Sequence, residues 1–185
     1  RLVYRPDISP SYISPFTGEQ LDYDGEVYKV THAYVYDDIN DAVKDREILL
    51  LADMGIGFND KNFNPDKAVT EGEVVRLFED LGYYDEDSEN LKGSSKLITR
   101  EELAYNFIKR LGLDKVAKLP GIYTTGYYDE QLIRSDYLGA VAIAKGLKIF
   151  PEDAGNLFRP KDNVTRRELV SLIFNFIRAN SDMIY

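Results

Sequence analysis

Two stretches of the sequence place arginine directly after a threonine, where a helix is predicted to begin. They are TREE, from Thr99 to Glu102, and TRRE, from Thr165 to Glu168, and each leads into an apolar run of helical spacing. A cation in the first helical turn faces the positive end of the helix dipole, which costs roughly a few tenths of a kcal/mol. Free amides at a helix start, together with a guanidinium fork, form a site for a carboxylate or phosphate. The arginines therefore predict anion binding: Arg100, Arg166 and Arg167.

The threonine and glutamate of these stretches have a structural explanation. Thr-x-x-Glu before an apolar run is a capping box, in which each side chain bonds the other residue's backbone amide. Each box stabilises its helix by about 1 kcal/mol. The chain carries three such pairs: Thr70 and Glu73, Thr99 and Glu102, Thr165 and Glu168. Capping leaves the arginines unexplained, and the first copy has Glu71 in their place.

The capping boxes belong to a longer repeated frame. It reads aromatic-x-Asp, a helix, Gly-apolar, a loop ending in Phe-x-Pro, and a second helix after Thr-x-x-Glu. The frame fits residues Tyr36 to Gly82 and Tyr127 to Ile177, whereas a middle copy from Tyr83 reaches Thr99 too early to hold a first helix. Repeated units bury their apolar faces against one another. The chain is therefore predicted to be a repeat protein with a shortened middle unit.

This frame closely resembles the S-layer homology motif, and the third copy matches it best. The resemblance implies a mainly α fold, in which three motifs form a pseudo-threefold helical bundle after a small β-hairpin or strand segment. The expected divisions are a β-rich tail or linker over 1–35, motif 1 over 36–82, a truncated motif 2 over 83–112, a linker over 113–126 and motif 3 over 127–180.

The same resemblance implies a function. In the family, the arginine after the threonine lies in an inter-motif groove and holds negative groups of secondary cell-wall polysaccharide, commonly a pyruvylated sugar. The chain is thus expected to be a non-catalytic anchoring module of a secreted, Gram-positive-type protein at the cell wall. The expected ligand contacts are Arg100, Arg166, Arg159, Arg167 and Tyr128.

Apolar periodicity predicts the helices themselves. First helices are expected over 40–54 and 136–145, and second helices over 71–81, 100–111 and 166–177. The second helices are the one element present in all three copies. They are therefore predicted to meet as a three-helix core.

Residues 1–36 differ from the rest of the chain in amino-acid composition. Residues 26–36 carry β-branched and aromatic side chains at nearly every position, which favours a strand. Residues 1–30 weakly resemble the end of a PepSY-like propeptide domain. The chain also opens on Arg1, without Met, and we interpret it as a fragment whose partners include the rest of its own longer chain.

Composition argues against several other functions. The formal net charge of −9 disfavours nucleic acid as a partner. No apolar run reaches the roughly 18 residues needed for membrane insertion. The lone His32 and the absence of cysteine give catalysis little support, and no cofactor or metal is expected. An EF-hand-like spacing from Asp60 has Pro65 where that loop needs glycine.

A second function remains open. The degenerate copies are alternatively a structural or protein-interaction platform that no longer binds polymer. The charge of −9, the absence of tryptophan and the shortened middle copy favour this reading, whereas the arginines favour anchoring.

Overall fold

The structure is a computed structural model that describes residues 12–13, 19–21, 27–29, 34–40, 43–84, 86–152 and 154–184. The chain divides into two compact units, residues 1–62 and 63–185. The boundary falls inside the span expected for motif 1. The predicted mainly α fold is confirmed.

Within its described residues, the first unit contains a short antiparallel sheet and one helix. The strands β1 (Tyr12–Ile13), β2 (Glu19–Leu21) and β3 (Val27–Lys29) lie in the order β1-β2-β3. Register pairs Tyr12 with Leu21 and Gln20 with Tyr28. Most of residues 1–30, on which the PepSY-like prediction rests, lie outside the described residues.

Helix α1 (Arg46–Asp53) begins later than the expected residue 40. Its N-cap residue, Asp45, makes no side-chain capping bond, whereas the second helices of the repeat start at capping boxes. This boundary is the least accurate of the predicted helix starts.

In the part of the second unit that the structure describes, the regular structure is helical apart from isolated β-bridges. It contains α2 (Glu71–Asp80), α3 (Arg100–Arg110), α4 (Asp114–Ala117), α5 (Ser135–Gly146) and α6 (Arg166–Ile184). Two 3₁₀ turns lie at Glu86–Leu91 and Glu130–Leu132. The predicted starts of α2, α3 and α6 are confirmed to the residue. In the shortened middle copy, the 3₁₀ turn at 86–91 stands where the other copies have a first helix.

Three phenylalanines join α2, α3 and α6. The rings of Phe78, Phe107 and Phe176 lie 5.1 to 5.5 Å apart between centroids, and all three are fully buried. Two of the three contacts are edge-to-face, the geometry that aromatic quadrupoles favour. The predicted three-helix core is therefore confirmed.

A closed ring of backbone hydrogen bonds joins the residues just before these helices. The Val69 amide donates to the Val164 carbonyl at 2.9 Å, the Val164 amide to Ile98 at 3.1 Å, and the Ile98 amide to Val69 at 3.1 Å. Each residue precedes a capping threonine by one position. This three-way ring is the pseudo-threefold axis of the repeat, and it places the starts of all three helices close together.

Candidate functional site

The first signature arginine of α6 is enclosed by the turn and helix of the first copy. Arg166 is 1% exposed. Its Nη1 donates to the Phe63 carbonyl at 2.8 Å, and its Nη2 lies 2.7 Å from Glu73 Oε1. Phe63 belongs to the Phe-x-Pro turn and Glu73 to the capping box at α2. The arginine therefore ties the third copy to the first.

Arg100, at the start of α3, repeats this arrangement one copy further on. Its Nε donates to the Phe158 carbonyl at 2.6 Å, and its guanidinium pairs with Glu168. The guanidinium carbon also lies 5.2 Å from the ring centroids of both Phe150 and Phe158. A buried cation between two aromatic faces gains a cation–π attraction in addition to the ion pair. Arg100 therefore ties the second copy to the third.

The remaining interface uses a different cation. Glu71 occupies the arginine's position, and Lys96 Nζ lies 2.9 Å from Glu71 Oε1 and 3.0 Å from Glu102 Oε1. The Ser94 hydroxyl donates to the other Glu71 oxygen at 2.9 Å. A lysine of the second copy thus stands in for the missing arginine, because it bridges the capping glutamate of its own copy, Glu102, to Glu71 of the first copy.

These contacts shift pKa values in the directions that ion pairing predicts. Burial raises the pKa of Glu102, but hydrogen bonds from the Thr99 amide, Lys96 and Arg134 outweigh it, and the pKa falls from 4.5 to about 2. Hydrogen bonds to Glu71 and Glu102 raise the pKa of Lys96. Both groups are therefore charged at neutral pH.

The capping residues make local bonds as well as these longer contacts. The Thr70 amide donates to Glu73 at 2.9 Å and the Glu73 amide to the Thr70 hydroxyl at 3.2 Å. The Thr99 amide donates to Glu102 at 3.0 Å. At α6, the Glu168 amide donates to the Thr165 hydroxyl at 3.3 Å. The carboxylates of Glu73 and Glu102 are therefore each held by the amide at their own helix start.

Glu101, the first acidic residue of TREE, is a buried junction between the second and third copies. It is 1% exposed, and its Oε1 accepts from Arg134 Nε at 2.7 Å and Lys161 Nζ at 2.6 Å. Its Oε2 accepts from the Arg134 amide at 3.0 Å. Two cations compensate the burial of one carboxylate, as a buried charge requires.

The other predicted contacts lie near the two Phe-x-Pro turns. Arg159 is exposed and has a left-handed backbone, φ 56°. Its amide and that of Phe158 donate to the Asp129 carboxylate at 2.7 and 2.8 Å. Tyr128, next to Asp129, is 77% exposed. The turn at Phe158 therefore brings Tyr128 and Arg159 to the surface, with Arg100 beneath them.

The turn at Phe63 contacts the two neighbouring arginines Arg166 and Arg167. Arg167 is half-buried, and its amide donates to the Pro65 carbonyl at 3.0 Å, beside the Phe63 carbonyl that Arg166 contacts.

The tyrosine next to Tyr128 lies elsewhere: Tyr127 is buried against Phe158, with ring centroids 5.4 Å apart. Of the two neighbouring tyrosines, only Tyr128 is therefore placed to contact a ligand.

Sequence reasoning missed the partners of the arginines. Glu73 and Glu168 were recognised as caps, and Lys96, Glu101 and Asp129 received no site role. The Phe-x-Pro turn was the available signal, because it occurs twice in the sequence and each buried arginine contacts the phenylalanine carbonyl of one such turn.

Within the described residues there is no cluster of three or more histidine, cysteine or acidic groups placed to hold a metal. Over the same part of the chain, no helix is long and apolar enough to cross a membrane.

Known proteins resemble this chain in part. The family model for the S-layer homology domain matches residues 133–170, which run from the end of the second 3₁₀ turn into α6. A surface layer protein of Brevibacillus choshinensis is 27% identical over 135 residues, covering 73% of this chain. The chain spans only 12% of that relative's length. No solved structure shows significant similarity.

The matched segment contains α5, the Phe158 turn and the TRRE signature. It coincides with the copy that the repeat frame fits best. Residues 133–170 therefore match the S-layer homology domain, and together with the similarity to a surface layer protein this match supports the resemblance that the repeat frame predicts.

Proposed function

We propose that the chain anchors a longer protein to the cell wall by binding secondary cell-wall polysaccharide at its inter-motif interfaces. The observation that carries the proposal is the grouping of Arg100, Arg159 and Tyr128 around one Phe-x-Pro turn. It combines an exposed tyrosine, an exposed arginine and a buried cation around the turn at Phe158, which lies in the matched segment. A polymer bearing acidic groups, such as pyruvylated sugars, suits this chemistry.

The exposed residues would make the first contact with polymer. Arg100 and Arg166 are enclosed and paired with glutamates, so a ligand carboxylate reaches them only by competing with Glu168 or Glu73. Arg159 and Tyr128 are more accessible to a polymer because both residues lie exposed at the surface. In this proposal the buried arginines hold the interface in shape and supply positive potential, and the exposed pair binds.

The test is co-sedimentation with Gram-positive cell-wall sacculi, before and after chemical removal of the secondary polymer. We expect pelleting that requires the polymer and that falls at least threefold in Arg159→Ala and in Tyr128→Ala. The matched controls are Arg178→Ala, which removes another exposed arginine, and Tyr84→Ala, whose ring is 79% exposed. Equal losses in the controls, or pelleting that survives polymer removal, would reject the proposed site.

A second candidate function is a structural or protein-interaction platform without polymer binding. The observation that favours it is the neutralisation of both buried signature arginines by glutamates of neighbouring copies. It predicts no pelleting with either preparation across several wall types. It also predicts that Arg166→Ala changes stability alone.

A further inference from the structure

A groove runs between the segment 117–126 and the start of α5, and we call it the linker groove. It consists of two concavities of about 450 and 580 Å³ that share Ser135 and Leu138 in their walls. These volumes fall in the range of small-ligand sites, roughly 300 to 1,000 Å³. None of the signature arginines lines either concavity. The groove is therefore separate from the site proposed above.

The outer wall of the groove is fixed although it lacks regular structure beyond the end of α4. The Tyr123 hydroxyl donates to the Val116 carbonyl at 2.6 Å. Lys145 Nζ donates to the Thr125 carbonyl at 3.0 Å, and the Asn156 side-chain amide to the Gly126 carbonyl at 2.8 Å. A wall that is already ordered costs little conformational entropy when a ligand binds, which favours affinity.

Glu130 also stabilises this wall through hydrogen bonds from residues 124–126. One oxygen of its carboxylate accepts from the Thr124 hydroxyl at 3.1 Å, the Thr125 hydroxyl at 2.7 Å and the Gly126 amide at 3.2 Å, as well as from the Thr125 amide. These bonds, led by those from Thr125, lower the pKa of Glu130. The negative charge of Glu130 is therefore compensated by hydrogen bonds from the wall.

The lining has an apolar floor and a polar rim. Ala117, Leu138 and Gly139 form part of the floor, and the Tyr123 ring borders it. Among the residues that the structure describes, the side chains of Gln131, Ser135 and Asp136 on the rim make no hydrogen bond or ion pair within the protein. Such side chains offer both donors and acceptors to a ligand, beside a surface that suits the apolar face of a ring.

We propose that the linker groove binds an uncharged oligosaccharide stretch, and thus that the third motif holds the polymer at a second place. A sugar ring presents hydroxyls at its edge and C–H groups on its face, which match the rim and the floor. Once Glu130 is set aside, the lining contributes one free carboxylate, Asp136, and one ammonium group, Lys118, so no excess charge selects an ionic ligand. The identity of the ligand as a wall saccharide rests on the proposed function.

The test uses the full chain labelled with ¹⁵N and titrated by NMR with soluble probes. The probes are trimers of β-1,4-linked N-acetylglucosamine and neutral oligosaccharides released from purified wall polymer. We expect saturable shifts confined to the amides of 117–126 and 131–139. Gln131→Ala and Asp136→Ala should each raise the apparent Kd at least threefold, whereas Asp162→Ala, which removes an exposed aspartate outside the groove, should leave it unchanged.

The absence of saturable groove shifts with every probe would overturn the proposal, as would shifts confined to the turn at Phe158. Equal weakening by Asp162→Ala would overturn it as well. Because the titration contains no sacculi, it separates the two proposals. Loss of wall pelleting in Arg159→Ala with intact oligosaccharide binding in the groove supports both, and groove binding without any wall pelleting rejects anchoring alone.

Discussion

Arg166 in the third copy of the repeat donates to Glu73 in the first copy, with 2.7 Å between Nη2 and Oε1. Glu73 also accepts from the Thr70 amide at 2.9 Å, so one carboxylate both caps α2 and receives the arginine. The signature Thr-x-x-Glu therefore has two consequences at once. It starts a helix locally, and it presents a fixed negative charge to the neighbouring copy.

The pairing of Arg166 with Glu73 predicts strong thermodynamic coupling. Arg166→Ala leaves the Glu73 carboxylate and the Phe63 carbonyl without this partner, and should lower the free energy of unfolding by about 2 to 4 kcal/mol. Glu73→Gln retains an oxygen that can accept from Thr70. A double-mutant cycle of the two, measured by urea unfolding, should give a coupling free energy of about 1 to 3 kcal/mol.

The matched control for this cycle is Arg178→Ala, an exposed position on the same helix. It should change stability by less than about 0.5 kcal/mol. A coupling near zero between Arg166 and Glu73 would contradict the assignment of Arg166 as the tie between copies, even if each single variant is unstable.

Acid should weaken the interface that contains Glu102. Its folded pKa of about 2 lies below the usual 4.5, so the stability that it contributes is fully present above pH 4.5. That contribution is lost as pH falls toward 2. After allowance for solvent screening, it amounts to about 1 to 2 kcal/mol. The measurement is urea unfolding at a series of pH values, with NMR titration of the Glu102 carboxyl carbon.

Lys96→Met should move this acid transition to higher pH. It removes a donor that lowers the pKa of Glu102, and it leaves Glu71 and Glu102 without their shared cation. Lys115→Met removes an exposed lysine elsewhere and should leave the pKa of Glu102 unchanged. If both variants titrate alike, Lys96 is not the cation that holds this interface.

Gly139 should tolerate no side chain. A Cβ at this position in α5 would collide with the Ala117 carbonyl and lie 2.8 Å from Tyr123 Cδ2. Gly139→Ala should therefore destabilise the chain by about 1 to 3 kcal/mol, although alanine is the better helix former. Gly146→Ala is the control, because a Cβ at the end of the same helix meets nothing within 4 Å. Thermal unfolding of both variants should give shifts that differ clearly, and equal shifts would contradict the close packing.

Phe107 should be the most sensitive position of the three-ring core. Its ring contacts Phe78 and Phe176, and it also lies 6.1 Å from Phe150. Phe107→Ala should lower stability by about 3 to 5 kcal/mol through lost burial and the cavity that remains. Tyr84→Ala, at an exposed ring, should have little effect. A loss below about 1 kcal/mol in Phe107→Ala, measured by urea unfolding, would show that the three helices do not share one core.

Local signals in the sequence determined the elements. A capping box operates between residues three apart, so Thr70, Thr99 and Thr165 define the starts of α2, α3 and α6 without knowledge of the fold. Before α1, where that signal is missing, the predicted start was too early. The repeat frame also indicated that the three second helices form one core, because only they recur in every copy.

The sequence by itself therefore determined the mainly α architecture, the repeat and the helix starts, since these depend on short-range bonding and on apolar periodicity. Only the tertiary structure decided what the arginines meet. Arg166 and Glu73 are 93 residues apart, and their pairing depends on the order in which three copies close around one axis. The same arrangement of the copies brings Lys96 to Glu71, which occupies the arginine position in the first copy. It also forms the linker groove. Such contacts are set by the arrangement of whole helices, which no local pattern specifies.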